Sequence, residues 1–383
     1  MAPFVVGSQK EDARNTTPLE QRLGQATSVV MPLIELGLLG YVTWVLCYLI
    51  CIQYLASPSD ELQQTFNIQP RRSTGIALIT VFALLLLALL ISWMRLLQVI
   101  WSKVDILEPG APGVEKKDVD SKHLEQYDAY VCDYEGVPLF CDKCRIYKPD
   151  RTHHCKELGR CIRRMDHYCP WAGGIIAETT HKFFLQGVVL GALVMAYVWL
   201  VVAIFLAERI SKVSNWIAAL AIGVLFSIFA TTMACMTGYN LAINYTSVEA
   251  IQRGGITNIA FLIIRQPNEP TQLHTPPTSS KSEEDKATEA DDEWPVLRFV
   301  ERSGGRNFVV MQNKPFQHVW STSMMRGWKD AMGESPLEWF LPLKNSPWKQ
   351  KSRRGEFRWG EVVYDMAKKF EKDNPGARLA ILE

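Results

Sequence analysis

Five of the nine cysteines stand between residues 141 and 169 with histidines interleaved: Cys141-x2-Cys144, His154 beside Cys155, then Cys161 and Cys169. Sulfur and imidazole donors this close together, headed by a Cys-x2-Cys pair, have the donor types and spacing of a zinc site. Cys169 closes the run Asp166-His167-Tyr168-Cys169. A thiol becomes a nucleophile when a neighbouring base takes its proton and an acid orients that base, and His167 and Asp166 are those two residue types. On an extended segment, residues two apart share a face, so His167 and Cys169 would point the same way. The competing reading is that all three are metal ligands.

Such a cluster needs a scaffold, and composition narrows the choice. The chain has 383 residues, 48% of them hydrophobic, and a formal net charge of +1. Nucleic acid is not an expected partner, because phosphate binding wants a basic excess. The cysteines crowd into one polar insert at metal-type spacings, which points to a reducing compartment more than to a disulfide framework. The apolar residues fall in blocks of about 20 or more, the length that crosses a hydrocarbon core.

Four blocks qualify: 29–55, 75–100, 183–207 and 216–238. The first is interrupted by Glu35 and Pro32, and the second has the Leu-rich centre Val81–Ile91 with Arg95 near its end. The last two carry small residues, Gly187, Gly191, Ala192 and Ala196 in one and Ala218, Ala219, Ala221 and Gly223 in the other, whose expected work is close helix packing. Residues 1–28 read as a polar, flexible arm, since they lack the apolar core of a signal peptide. The insert, 101–182 with its core at 141–184, carries Lys143, Arg145, Lys148, Arg151, Arg160, Arg163 and Arg164, whereas the loops on the other side carry Arg71, Arg72, Arg209 and Lys212. The positive-inside rule therefore puts the insert and both termini in the cytosol. Beyond the fourth span come a juxtamembrane segment (239–265), a stretch rich in Pro, Thr, Ser, Glu and Asp that reads as a disordered linker (266–293), and a C-terminal region (294–383) where aromatic residues return.

The insert resembles the Asp-His-His-Cys (DHHC) family of protein S-acyltransferases, the palmitoyltransferases. The likeness is carried by Cys141-x2-Cys144, Lys148-Pro-Asp-Arg-x-His-His-Cys155, Arg160-Cys161-Ile-x-Arg164-Met-Asp-His-Tyr-Cys-Pro-Trp171 and His181-Lys-Phe-Phe184. Asn244-Tyr-Thr246-Ser-Val-Glu249 is similar to the family's Thr-Thr-x-Glu motif, with Ser247 at its second Thr, and Gly333 to Pro342 looks like its C-terminal segment, although Gly327 stands where Asn is expected. The second His of the signature is Tyr168, as in a minor subgroup. The resemblance implies an α-helical integral membrane protein of four transmembrane helices, with a small zinc-binding, cysteine-rich cytosolic insert between the second and third. It implies that Cys169 takes a long-chain fatty acyl group from acyl-CoA as a thioester and passes it to a cysteine of a membrane-associated protein. His167 and Asp166 would then be base and orienter, with Thr246 as the hydrogen-bond partner of Asp166, and Glu249 and Trp171 in support. Arg163, Arg164 and Lys182 are candidate contacts for the coenzyme's phosphates.

The resemblance also implies two zinc sites in the family, of which this sequence keeps one. The ligands of the first match at Cys141, Cys144, His154 and Cys161, whereas those of the second fall on Cys155, Leu158, Tyr168 and Ile175, where Cys155 alone ligates well. Leu158, Ile175 and the Tyr168 ring are expected to form an apolar plug instead. Two other readings compete: a catalytically weak or inactive zinc-bearing membrane adaptor of the same fold, and a small channel or carrier, disfavoured because the spans lack charges that mark a path. The expected setting is a multi-pass protein of the endomembrane system or plasma membrane.

Overall fold

The computed structural model describes residues 18–383 except 114, 117–118, 209–212, 253, 266–293, 303–304 and 349–352. The expected linker, 266–293, lies outside the described residues, as does the expected arm before Pro18.

Runs of Leu, Ile, Val and Ala with few interior charges form helices here because an apolar medium leaves the backbone no partner but itself. Helix α1 (Pro18–Trp44) continues into a π-helical stretch (Val45–Ala56); after short α2 (Asp60–Phe66) comes α3 (Arg72–Ser102). After the insert, which holds α4 (Lys122–Glu125), come α5 (His181–Glu208) and α6 (Ser214–Ala242). Among the described residues, four helices are long and apolar enough to cross a membrane. They bury Leu46, Ile50, Tyr54, Phe82, Val198, Val202 and Trp216 between them while Ile76, Leu84, Leu225 and Ile228 face outward, as a lipid-facing surface requires. At one end Arg71 grips Glu208 at 2.6 Å, with the Tyr54 hydroxyl on the same carboxylate.

Helix α1 begins well before Val29. Pro18 suits a first helical turn, where its missing N–H costs nothing, and the early turns are held by the insert: the Tyr168 hydroxyl donates to the Gly24 carbonyl at 3.1 Å. The small residues divide in role. A Cβ on Gly223 would stand 2.9 Å from the Trp199 Cβ, so that glycine permits close packing; Gly187 and Gly191 have nothing within 4 Å of such an atom and leave space instead.

After α4 the insert forms β1 (Ala129–Cys132) and then makes three antiparallel hairpins: β2 (Phe140–Cys141) with β3 (Ile146–Tyr147), β4 (His153–Cys155) with β5 (Arg160–Ile162), and β6 (His167–Cys169) with β7 (Gly174–Ile176). Beyond α6 lie α7 (Ser247–Ile251), β8 (Asn258–Arg265), β9 (Val296–Arg302), β10 (Arg306–Gln312), α8 (Met324–Met332), α9 (Pro336–Phe340), α10 (Glu361–Asp373) and β11 (Ala377–Leu379). These strands join β1 in one antiparallel sheet, ordered β1-β8-β10-β9, with β11 also paired to β8. Pairing of Ala129 with Phe261 through Cys132 with Asn258 makes the insert and the C-terminal region one extramembrane body. Its core contains Ile259, Phe261, Val309, Trp320, Phe357, Trp359 and Phe370. The sequence reading contains no such sheet, because β8 is a short continuous apolar run whose periodicity fits helix and strand alike.

Gly327, where the family resemblance expects Asn, lies in α8 against the end of α6, and a Cβ there would collide with the Ala242 carbonyl oxygen. Replacing Gly327 with Ala should therefore loosen the docking of α8 on α6 and cost about 1–3 kcal/mol, the usual penalty for overpacking. Thermal unfolding of the purified protein measures it; an unchanged midpoint would mean that α8 shifts freely.

Candidate active site and metal centre

The first two hairpins bring four donors together. Cys141 ends β2, Cys144 lies in the turn that follows, and His154 and Cys161 pair across β4 and β5. Their ligating atoms all lie within 4.8 Å of one another, and His154 Nδ1 is 3.3 Å from the Cys144 sulfur and 3.6 Å from that of Cys141. Tetrahedral zinc with Zn–S near 2.3 Å sets sulfur atoms about 3.8 Å apart, so the four are close enough to ligate one ion. The Cys144 N–H reaches the Cys141 sulfur at 3.4 Å, and the left-handed backbone at Arg145 (φ 54°) closes the turn. The site could hold a metal ion, and among the described residues it is the only His, Cys, Asp and Glu cluster that could.

The positions of the second site hold no such set. Cys155, Ile162, Ile175 and Ala177 are buried together, with Leu158, Met165 and the Tyr168 ring packed on them. The Cys155 thiol donates to Glu157 at 3.2 Å. The space is filled by hydrocarbon, and the Tyr168 hydroxyl is directed to α1.

The third hairpin carries the residues expected to be reactive. Cys169 is 8% exposed and packs with Leu96, Ala172, Ile176, Phe183 and Phe184. His167 Nδ1 lies 2.6 Å from Asp166 Oδ2, and its ring stands edge-on to Phe184. Its other nitrogen, Nε2, is buried without a protein hydrogen bond, and the Cys169 sulfur on the same face of β6 is the group that acts on it electrostatically. Burial favours neutral His167, but Asp166 and Cys169 outweigh it and raise its pKa to about 9. Burial likewise disfavours ionised Asp166; His181, His167 and the Ser247 N–H overcome that and hold its carboxyl well below the usual range.

Asp166 is held from α7, by a different residue from the one expected. The Ser247 N–H donates to Oδ1 at 2.7 Å and its hydroxyl to Oδ2 at 3.0 Å. Thr246 is occupied as the N-cap of α7: its side chain accepts the Glu249 N–H at 3.2 Å while Glu249 accepts the Thr246 N–H at 2.9 Å. In a capping box the cap side chain faces into its own helix, so the next residue is free to reach the carboxylate. Glu249 also takes Arg151 in a two-pronged pair at 2.7 and 2.6 Å. Burial opposes the charge on Glu249, and Arg151 and His318 overcome it, holding the carboxyl far below its ordinary value.

Two of the expected coenzyme contacts are spent inside the protein. Arg164 is fully buried, stacked 3.3 Å over the Trp348 ring and bonded to Asn244 at 3.1 Å. Arg163 is paired with Glu178 at 3.1 Å and with Glu356. Arg164 is out of reach of solvent, and the charge of Arg163 is already matched by two buried carboxylates, so neither is placed to take a phosphate. Lys182 is 1% exposed, its Nζ buried without a hydrogen bond and Glu338 the acid that acts on it. Nothing in the sequence marked Trp348 as a site partner, and Asn244 stood only at the head of the Thr-Thr-x-Glu-like segment, because each meets Arg164 across a long stretch of chain.

Below Cys169 opens a cavity of about 170 Å³ between the spans. Trp171, Phe184, Gly187, Gly191, Phe226 and Met233 are among its lining, and the two glycines account for its room. Trp171 meets Phe226 and Phe229 at 6.3 Å, which fixes the wall beside the thiol. The arrangement thus joins a thiol, an imidazole steadied by a carboxylate, and an apolar slot leading into the membrane-spanning helices.

Residues 135–254 match the family model described as DHHC palmitoyltransferase. The chain is 28% identical to Palmitoyltransferase pfa5 of Aspergillus fumigatus over 91% of each chain. It is 24% identical to Palmitoyltransferase PFA5 of Saccharomyces cerevisiae over 82% of this chain and 79% of that one. Identity to Palmitoyltransferase ZDHHC2 of Homo sapiens is 34%, over 22% of this chain and 23% of that one. The matched domain is the part that carries the thiol and its imidazole, and the likeness to the Pfa5 proteins extends over most of the chain, so residues 135–254 form a DHHC palmitoyltransferase domain within a chain similar to the Pfa5 palmitoyltransferases.

Proposed function

We infer that this protein is a protein S-acyltransferase that moves a long-chain acyl group, palmitoyl, from acyl-CoA through a thioester on Cys169 to a cysteine of a membrane-associated protein. The observation that carries the reading is the placement of the Cys169 thiol between the His167–Asp166 pair and the apolar cavity of the spans. A thiolate beside an imidazolium is stabilised by the opposite charge. In the loading step the Cys169 thiolate attacks the acyl carbon, the bond to coenzyme sulfur breaks, and the acyl chain enters the slot under Trp171. The departing coenzyme thiolate takes the proton of His167. Acylated Cys169 no longer supports the charge on His167, so the ring is left neutral and able to accept the proton of an incoming cysteine thiol. That thiolate attacks the Cys169 thioester, and transfer restores the Cys169 thiolate and the imidazolium. Asp166 orients the ring and offsets its charge in both steps.

The ion for the four-donor cluster is zinc, one per chain, held by Cys141, Cys144, His154 and Cys161. It would supply structure, pinning the first hairpin to the second, while the plug around Ile175 and Tyr168 stabilises the other lobe by burial. The many Lys and Arg of the insert favour a cytosolic catalytic face, with an endomembrane or plasma-membrane setting. Substrate proteins would then present their cysteines from the cytosolic side.

Cys169→Ser should abolish hydroxylamine-sensitive labelling by a clickable fatty acid while leaving membrane insertion intact; equal labelling of both proteins would make this chain an adaptor of the same fold. His167→Ala should slow loading and transfer by about 10²- to 10⁴-fold. In the wild type, loading should decline as pH rises through about 9, where His167 gives up its proton, and a rate indifferent to that limb would remove His167 from the mechanism. Elemental analysis should return close to one zinc per chain, with Cys141→Ala unfolding the insert and Cys155→Ala much milder. A ratio near two, or equal damage from both substitutions, would contradict the single site.

A further inference from the structure

Asp166 has two imidazoles beside it. Oδ2 takes His167 Nδ1 at 2.6 Å and the Ser247 hydroxyl at 3.0 Å; Oδ1 takes the Ser247 N–H and faces His181 Nε2 at 3.6 Å. His181, the first residue of α5, is 1% exposed. Its other nitrogen, Nδ1, lies 3.4 Å from Nη1 of Arg164. A guanidinium only donates, so Nδ1 must accept, and the neutral ring then carries its proton on Nε2, on the Asp166 side. That N–H is buried and has no other hydrogen-bond partner, and buried donors rarely go without an acceptor. Closing the contact needs a shift of about half an ångström, and catalytic hydrogen bonds commonly tighten from a longer resting geometry.

We propose that His181 is a positioning residue, its Nε2–H holding Oδ1 of Asp166 so that the carboxylate is shared by two imidazoles and meets His167 at a fixed angle and with moderated strength. Arg164 sets the tautomer. It can do so because Trp348 covers its face and Asn244 takes another of its donors. The C-terminal region thereby reaches the nucleophile through Trp348, Arg164, His181, Asp166 and His167 in turn. The charged and titratable groups around His181 are Asp166, Arg164, His167 and Arg151, the last neutralised by Glu249.

The role rests on the acyltransfer reading, and the test separates the two. Full-length His181→Phe keeps the ring and loses the N–H; His181→Gln restores an amide N–H near Nε2; His181→Asn can reach Arg164 but not Asp166. Each is followed from about pH 6 to 10, a range that brackets imidazole and thiol titration, by single-turnover autoacylation with palmitoyl-CoA and by iodoacetamide alkylation of Cys169. With the second donor gone, the Asp166 charge acts wholly on His167, which keeps its proton to higher pH. His181→Phe and His181→Asn should therefore slow autoacylation by about 10- to 100-fold, as lost supporting hydrogen bonds typically do, and move the His167-dependent limb of both profiles upward. His181→Gln should recover rate and limb. Wild-type profiles in His181→Phe, or Gln no better than Asn, would overturn the role; the Gln and Asn pair decides it even where Phe fails to fold. A wild type that never autoacylates, with the alkylation limb still moved by His181→Phe, would reject acyl transfer and leave the positioning role standing.

Discussion

The buried pair between Arg151 and Glu249 is the contact on which the rest of the site depends. Arg151 sits on the loop before β4 in a left-handed conformation (φ 61°), and its guanidinium spans both oxygens of Glu249 and both the side chain and the carbonyl of Asn244. Trp320 and Phe357 lie 5.4 and 5.7 Å from it on the C-terminal side. Breaking such a pair strands a charge and costs about 3–5 kcal/mol, although the intact pair is weak evidence of net stability. What it supplies is position. Glu249 closes the capping box of α7, and the start of α7 carries Ser247, which takes both oxygens of the Asp166 carboxylate. An insert between the second and third spans and a segment after the fourth are thus fixed relative to each other at the carboxylate that meets His167.

The insert uses two ways of holding short hairpins that could not stand alone. One lobe gathers sulfur and imidazole at a point, where a single ion would replace an extended core. The other buries Ile162, Ile175 and Ala177 under Leu158 and Tyr168, and the tyrosine hydroxyl ties that lobe to α1. Tyr168 thus belongs to the supporting lobe, while its neighbour His167 meets Asp166. The same economy governs the spans, where glycine serves opposite ends: Gly223 admits the Trp199 backbone, while Gly187 and Gly191 keep open the cavity that begins at Cys169.

Several features were legible in sequence because they depend on local pattern. Apolar runs of span length must become helices wherever lipid is the solvent. The Cys-x2-Cys pair with His and Cys downstream marks a metal site by spacing, the family resemblance picks Cys141, Cys144, His154 and Cys161 from the candidates, and adjacent hairpins bring those four together. The His-x-Cys spacing of β6 puts base and thiol on one face by strand geometry. The loss of ligands at Leu158, Tyr168 and Ile175 could likewise be read as hydrocarbon in place of donors, for two of the side chains are aliphatic and the third offers an aromatic ring.

Tertiary structure decided whatever depends on which distant residue arrives. Arg163 and Arg164 look in sequence like cations awaiting phosphate; Glu178, Glu356 and Trp348, the last two far along the chain, turn them inward. Thr246 and Ser247 are adjacent hydroxyls, and only the docking of α7 determines which one caps the helix and which one meets Asp166. The sheet needed β1 and β8 to meet across two spans, and β8 alone carries no period that distinguishes strand from helix. Sequence determined the chemistry available to this protein through residue type and short spacing. The fold decided where each charge is spent, because burial and pairing are properties of the neighbours that packing supplies.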